Sequence, residues 1–262
     1  MHVLMGFAAM IGCMVGLCQL LRSVVRWKVR PGLAQNLLIE VVSTLQLGCC
    51  TREMILLATL GGIELWLAMT LTYLLTVLHC MTFQGATCNP CGSLELWLRA
   101  LVPGSHMVLT VAAQFVGAAL SRVLMPNIWQ LELSPLHKWD VVCRSPLNVA
   151  PWQGALVEMT CALSLFLALH FLPRVKSEFR PHVVALTITA IVYTGGPRTG
   201  AVFNPALAYA AVFLCQGNSF LQYAAVYWIG PTIGMVVSIL ILERRIPRLS
   251  PDKSSPHHVK RD

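Results

Sequence analysis

Charged side chains make up only 11% of these 262 residues, against roughly 25% in an ordinary soluble domain. Hydrophobic residues make up 56%, and mean hydropathy is +0.67. A water-covered globule of this size would need more charge on its surface, so the composition excludes one and points to a bilayer. Other absences narrow the function. There is no Ser/His/Asp set, no phosphate-cradling glycine loop and no paired set of metal ligands, which argues against an enzyme and calls for no cofactor. His257-His258 reads as a solvated pair in the tail. No Asn-x-Ser/Thr acceptor occurs either, so N-glycosylation would not report which loops face a lumen.

Long charge-free runs stand where charge is missing. None occurs between Met1 and Arg22, Glu64 and Glu95, Arg99 and Arg122, Glu158 and Arg174, Arg180 and Arg198, or Arg198 and Glu243. With about 20 apolar residues needed per crossing, these predict spans near 3–22, 35–56, 65–84, 106–125, 151–172, 181–196 and 221–242. Residues 85–98 and 199–215 are apolar but short and begin with Gly and Pro. They read as re-entrant segments, which exist at membrane depth only against protein or a cavity.

The net charge of +8 needs no nucleic acid to explain it. With the tail in the cytosol, segments 22–34, 85–105, 173–181 and 243–262 carry 14 of the 19 Lys and Arg. Arg52, Arg122, Lys138, Arg144 and Arg198 remain for the other side. That bias follows the positive-inside rule. Residues 1–22 have their basic residues after the apolar run, unlike a cleaved signal peptide, and predict an extra helix. Of ten cysteines, Cys13, Cys18, Cys49, Cys50, Cys80, Cys161 and Cys215 fall in or near apolar spans, and Cys143 alone lies clearly in a loop on the oxidising side. They read as small buried hydrophobes, with no disulfide framework.

The rest divides into two halves. Glu40 precedes Asn89 by 49 residues, and Glu158 precedes Asn204 by 46. Each glutamate is the only charge in mid-helix, and an intramembrane carboxylate is costly enough to need a purpose. Both halves carry Gly-Ala-x-x-Asn-Pro: Gly85 to Pro90 and Gly200 to Pro205. Three spans separate the two starts, so the second half is inverted, a signature of channels and transporters.

Asn is a strong N-cap and Pro suits the first helical turn, so Asn89-Pro90-Cys91 and Asn204-Pro205-Ala206 each start a short helix. Inversion points both N-termini at the bilayer centre, where the positive dipole ends face each other. Two Asn amides there would orient a passing water, and the dipoles would repel hydronium and other cations. Glu40 and Glu158 are expected to brace the re-entrant loops. Two rival readings exist: an ion-coupled transporter, which also uses inverted repeats but wants carboxylates at the midplane, and a non-conducting structural membrane protein.

The paired boxes, Ala113 through Ala118, and Tyr227-Trp228-Ile229-Gly230-Pro231 make the chain resemble the aquaporin (major intrinsic protein) family over about residues 33–243. The resemblance implies an all-α membrane fold: six transmembrane helices and two re-entrant half-helices in inverted repeats, here with an extra N-terminal helix. It divides the chain into 1–32, a channel domain 33–243 with halves 33–125 and 151–243, and a cytosolic tail 244–262. It also implies a homotetramer in the lipid bilayer. Cys91 in the first box, with Leu45-Gln46-Leu47, Cys49-Cys50-Thr51 and Gly195-Gly196, resembles the family's superaquaporin branch. That branch implies endoplasmic reticulum or vesicle membranes, and water, glycerol and hydrogen peroxide as solutes. Most members follow the second box with the arginine of the selectivity filter, but here the residue is Leu207. By spacing, the other filter candidates are Val192, Ala201 and Met69, with Tyr73 one turn further on. An apolar ring of this kind implies a broad filter for neutral solutes.

Overall fold

The protein, described by a computed structural model over residues 2–138 and 142–243, is helical throughout, with one isolated bridge, Arg144 to Gln216, among the described residues. The tail expected over 244–262 lies outside them. In chain order the helices are α1 (His2–Lys28), α2 (Leu33–Leu60), α3 (Leu65–Thr82), α4 (Pro90–Leu98), α5 (Gly104–Trp129), α6 (Pro151–Phe171), α7 (Arg180–Thr199), α8 (Pro205–Ala211) and α9 (Phe220–Ala224). A π-helical turn over Ala225–Ile229 carries α9 into α10 (Gly230–Glu243).

Among the described residues, six helical stretches are long and apolar enough to cross a membrane: α1, α2, α3, α5, Pro151–Arg174 and Phe220–Leu242. At 20 residues α7 has the length but not the apolarity, since it carries Arg180, Arg198 and several threonines. Two of those hydroxyls are satisfied within the helix. Thr187 donates to the Val183 carbonyl at 2.8 Å and Thr194 to the Ala190 carbonyl at 2.9 Å, each one turn back in the same helix. The protein is an all-α, multi-pass membrane protein. Exposed Trp27, Trp66 and Trp152 stand near helix ends, as interfacial aromatics do.

One glycine sets the closest helix approach in each half. A Cβ on Gly117 of α5 would meet the Val41 carbonyl at 2.4 Å, and one on Gly234 of α10 would meet the Met159 carbonyl at 2.1 Å. Val41 and Met159 each follow one of the two mid-helix glutamates. The α2–α5 and α6–α10 pairs therefore close by the same device, small residues that let backbones touch. Gly234→Ala is expected to force α10 off α6 at a cost of about 1–3 kcal/mol. A lower thermal midpoint in fluorescence-detected size exclusion would show it, and an unchanged midpoint would count against this close approach.

Three sequence expectations change. α1 continues to Lys28, so Arg22 is a buried helix residue and not part of a cytosolic loop. α5 runs through Pro126 to Trp129; the proline sits in the last turn, where few hydrogen bonds are lost. Arg52 and Arg122, assigned to the side opposite the tail, lie within α2 and α5, inside the predicted spans 35–56 and 106–125, and point their charge at protein carbonyls.

Candidate functional site: the paired Asn-Pro boxes

Asn89 and Asn204 are both buried N-caps with extended backbones, each followed by proline. The Asn89 Oδ1 accepts from the Cys91 N–H at 3.0 Å. The Asn204 Oδ1 accepts from the Ala206 and Leu207 N–H groups at 3.0 and 3.2 Å. These bonds fix which way each amide points, leaving the Nδ2 group aimed at the other box. The Asn204 Nδ2 donates to the Cys88 carbonyl at 2.8 Å, and the Asn89 Nδ2 donates to the Phe203 carbonyl at 3.4 Å. Each asparagine thus holds the residue immediately before the other.

Cys88 and Phe203 both have positive φ, 53° and 37°, a left-handed conformation that non-glycine residues adopt at a cost of about 1–2 kcal/mol. The glutamates hold them there. Glu40 accepts from the Cys88 N–H at 2.6 Å and the Thr87 N–H at 3.1 Å. Glu158 accepts from the Phe203 N–H at 2.5 Å and the Val202 N–H at 3.1 Å. Both carboxylates grip the two residues preceding an Asn, and each also takes a threonine hydroxyl: Thr87 at 2.9 Å and Thr199 at 2.6 Å. Gln114 of α5 closes the first network, its Nε2 lying 2.6 Å from Glu40 Oε1, 2.8 Å from Thr87 Oγ1 and 2.9 Å from Ser93 Oγ. In the second, the Tyr227 hydroxyl donates to the Thr199 carbonyl at 2.8 Å.

The far end of α8 is held by residues of α2 and α5. A helix leaves its last carbonyls unpaired, and two arginines take them. Arg52 donates to the Ala210 carbonyl at 2.8 Å. Arg122 donates to the Tyr209 carbonyl at 3.3 Å and to the Phe213 carbonyl. Cations at a helix C-terminus also suit its dipole. Beside them, buried Glu53 joins Trp129 Nε1 at 3.0 Å to His137 Nε2 at 2.9 Å, fastening the segment after α5.

The filter candidates sit in different packing environments. Val192 packs against the apolar cluster that contains Ala201, Phe203 and Cys91. Leu207 packs against the cluster that contains Val202, Tyr223 and Tyr227. Met69 is half-buried in α3. The Tyr73 hydroxyl pairs with His182 Nδ1 at 2.7 Å, near the opposite end of α7 from Ala201. Arg198, in the last turn of α7, donates to the Thr194 carbonyl at 2.7 Å. His79 is buried and stacks on Phe83 at 4.8 Å.

Cysteine placement corrects the sequence reading at one point. Cys143 and Cys215 form a disulfide. Segments 143–145 and 215–216 run side by side, with the Ser145 N–H donating to the Gln216 carbonyl at 2.8 Å and the Gln216 N–H to the Cys143 carbonyl at 3.0 Å. This brings the two Cα atoms to 4.8 Å. Linker residue Asn148 also donates to the Arg198 and Pro197 carbonyls, at 2.8 and 3.2 Å. Cys143→Ser and Cys215→Ser are each expected to cost about 2–4 kcal/mol. The double variant should melt with either single one, and an additive loss would contradict a shared bond. Cys88 precedes the first box and Cys91 ends it, but the two diverge. Cys91 Sγ lies 3.8 Å from Thr232 Oγ1 of α10, and Cys88 sits beside Thr44 of α2.

A profile of the Major intrinsic protein family matches residues 33–242. Aquaporin-11 of Equus caballus is 36% identical over 223 residues, 84% of this chain and 81% of that protein. Aquaporin-12 of Mus musculus is 35% identical over 241 residues, 89% and 83% of the two chains. The fold is also similar to the X-ray structure of the aquaglyceroporin from Plasmodium falciparum, with a TM-score of 0.67 at 16% identity over 83% of this chain and 98% of that one. With a family profile over most of its length, relatives at this identity and a matching fold, the chain belongs to the major intrinsic protein (aquaporin) family and is a membrane channel, not an enzyme.

Proposed function

We propose that the conduction path runs between the two Asn-Pro boxes and carries water and small neutral solutes, including glycerol and hydrogen peroxide, by passive flow. The observation that carries this is the exchanged pair of asparagine hydrogen bonds. Each Nδ2 has two hydrogens and spends one on the opposite box, which leaves one per asparagine for a solute oxygen. A water held by two donors at the junction of two positive helix ends turns its own hydrogens outward, so a proton cannot hop through it. Glu40 and Glu158 are occupied by backbone and threonine donors and serve as braces, which disfavours an ion-coupled transporter. Leu207 puts no fixed cation beside the second box, and Met69, Val192 and Ala201 add apolar surface. That supports a filter that admits glycerol and peroxide as well as water.

The channel unit in this reading is 33–243, in halves 33–125 and 151–243. It assembles as a homotetramer in endoplasmic reticulum or vesicle membranes with the C-terminus in the cytosol. The basic bias of the segments on one side supports the orientation, and the disulfide on the other side suits an oxidising lumen. Side-by-side stopped-flow permeabilities of reconstituted vesicles to water, glycerol and hydrogen peroxide test the solute range. Flux that follows an imposed ion gradient would sink the channel path. Permeability to water alone would sink the broad filter.

A further inference from the structure

The two halves close their outer helices differently. In the second half α6 and α7 meet directly, and a Cβ on Gly195 would sit 3.0 Å from Cys161 Sγ and 3.4 Å from Val157. In the first half α3 packs mainly on α7 and scarcely on α2. Helix α1 fills that joint instead. Its Phe7, Ile11, Met14 and Cys18 share one apolar cluster with Cys49 and Leu57 of α2, against which Leu71, Leu75 and Leu78 of α3 pack.

Within this joint lies Arg22, fully buried. Its partners are all neutral. Nη2 donates to Gln46 Oε1 at 2.8 Å, Nη1 to Ser43 Oγ at 3.4 Å, and Nε and Nη2 to Gln19 Oε1 at 3.3 and 3.1 Å. The chain of donors then runs on in one direction. Gln46 Nε2 donates to Thr82 Oγ1 at 3.0 Å, and Ser43 Oγ donates to the Phe83 carbonyl at 3.4 Å. Thr82 ends α3, and Phe83 begins the segment leading to Asn89. A buried guanidinium among apolar helices is costly enough to need a purpose. Here its hydrogen bonds converge on the point from which the first re-entrant segment departs.

We propose that Arg22 is a positioning residue for the first box: through Ser43 and Gln46 it fixes the end of α3 and thereby where Cys88 and Asn89 sit. Helix α1 is then a working wall of the channel, beyond an anchor. The permeability arm of the test rests on the boxes being the conduction path; the labelling arm does not.

The full chain in vesicles is exposed to methyl methanethiosulfonate, and labelling is followed by site-resolved mass spectrometry. Buried Cys88 reports the first half, and buried Cys161 is the reference in the second. Arg22→Met should raise Cys88 labelling about five- to tenfold and leave Cys161 within about twofold, with Arg22→Lys between it and wild type. Thr82→Val keeps the volume and removes one acceptor, and should raise Cys88 labelling about two- to threefold. Water permeability of Arg22→Met per folded protein should fall at least about threefold. Unchanged Cys88 labelling in Arg22→Met or Thr82→Val overturns the proposal. So does a joint rise of Cys88 and Cys161, which marks general loosening, and so does faster Cys88 labelling with wild-type permeability. If Arg22→Met yields no folded protein, Thr82→Val decides by the same criteria. A wild-type protein with no permeability refutes the conduction path and leaves the labelling result to judge the clasp.

Discussion

Vesicles carrying Asn204→Asp protein should swell no faster than empty vesicles under an osmotic step, a loss of at least about tenfold in water permeability. The Asn204 Nδ2 stands 2.8 Å from the Cys88 carbonyl. A carboxylate oxygen in its place would face that carbonyl with no proton between them, and the re-entrant segments would be pushed apart. The donor offered to a solute would vanish as well, and a negative charge would stand where two positive helix ends meet. The carboxylate keeps the acceptor that caps Ala206 and Leu207, so α8 itself should still form. Folded protein without flow is therefore the expected outcome, and wild-type swelling rates would remove Asn204 from the conduction path.

Glu158→Leu carries the largest expected cost in stability. It strips acceptors from the Val202 N–H, the Phe203 N–H and the Thr199 hydroxyl, all buried. Each orphaned donor costs about 1–3 kcal/mol, and whole proteins hold only about 5–15 kcal/mol in reserve. Little folded protein should survive solubilisation. Glu158→Gln keeps one acceptor oxygen but turns an NH2 group toward donors, so its midpoint should fall between the two. Leucine melting within about 2 °C of wild type would show that the second re-entrant segment needs no brace.

Much of this arrangement can be read in the residues because the chemistry leaves few substitutes. A helix that begins at membrane depth needs a cap and tolerates proline, which marks Asn89-Pro90 and Asn204-Pro205. A carboxylate alone in an apolar span needs donors, which marks Glu40 and Glu158. Spacing is silent about satisfaction in space. Arg22, Arg52 and Arg122 look like flanking charges near the ends of apolar spans, since no pattern tells that carbonyls and amides await them. Cys143 and Cys215 are 72 residues apart, and nothing local pairs them. The filter candidates depend on the register between α3 and α7, which decides that Tyr73 meets His182; that register is set by packing between helices distant in sequence.

The exchanged asparagine bonds also bear on how the chain is made. Each re-entrant segment is braced by a glutamate of its own half, but the bond that latches it to the other box comes from the far half. The Cys88 carbonyl waits for Asn204, 116 residues later, which is roughly 6–20 s of translation. Until then the first short helix stands on its Glu40 brace alone, without the bond from the second box. Ribosomal pausing or a truncation before residue 204 should therefore expose a half-channel to quality control, although every one of its own spans is already in the bilayer.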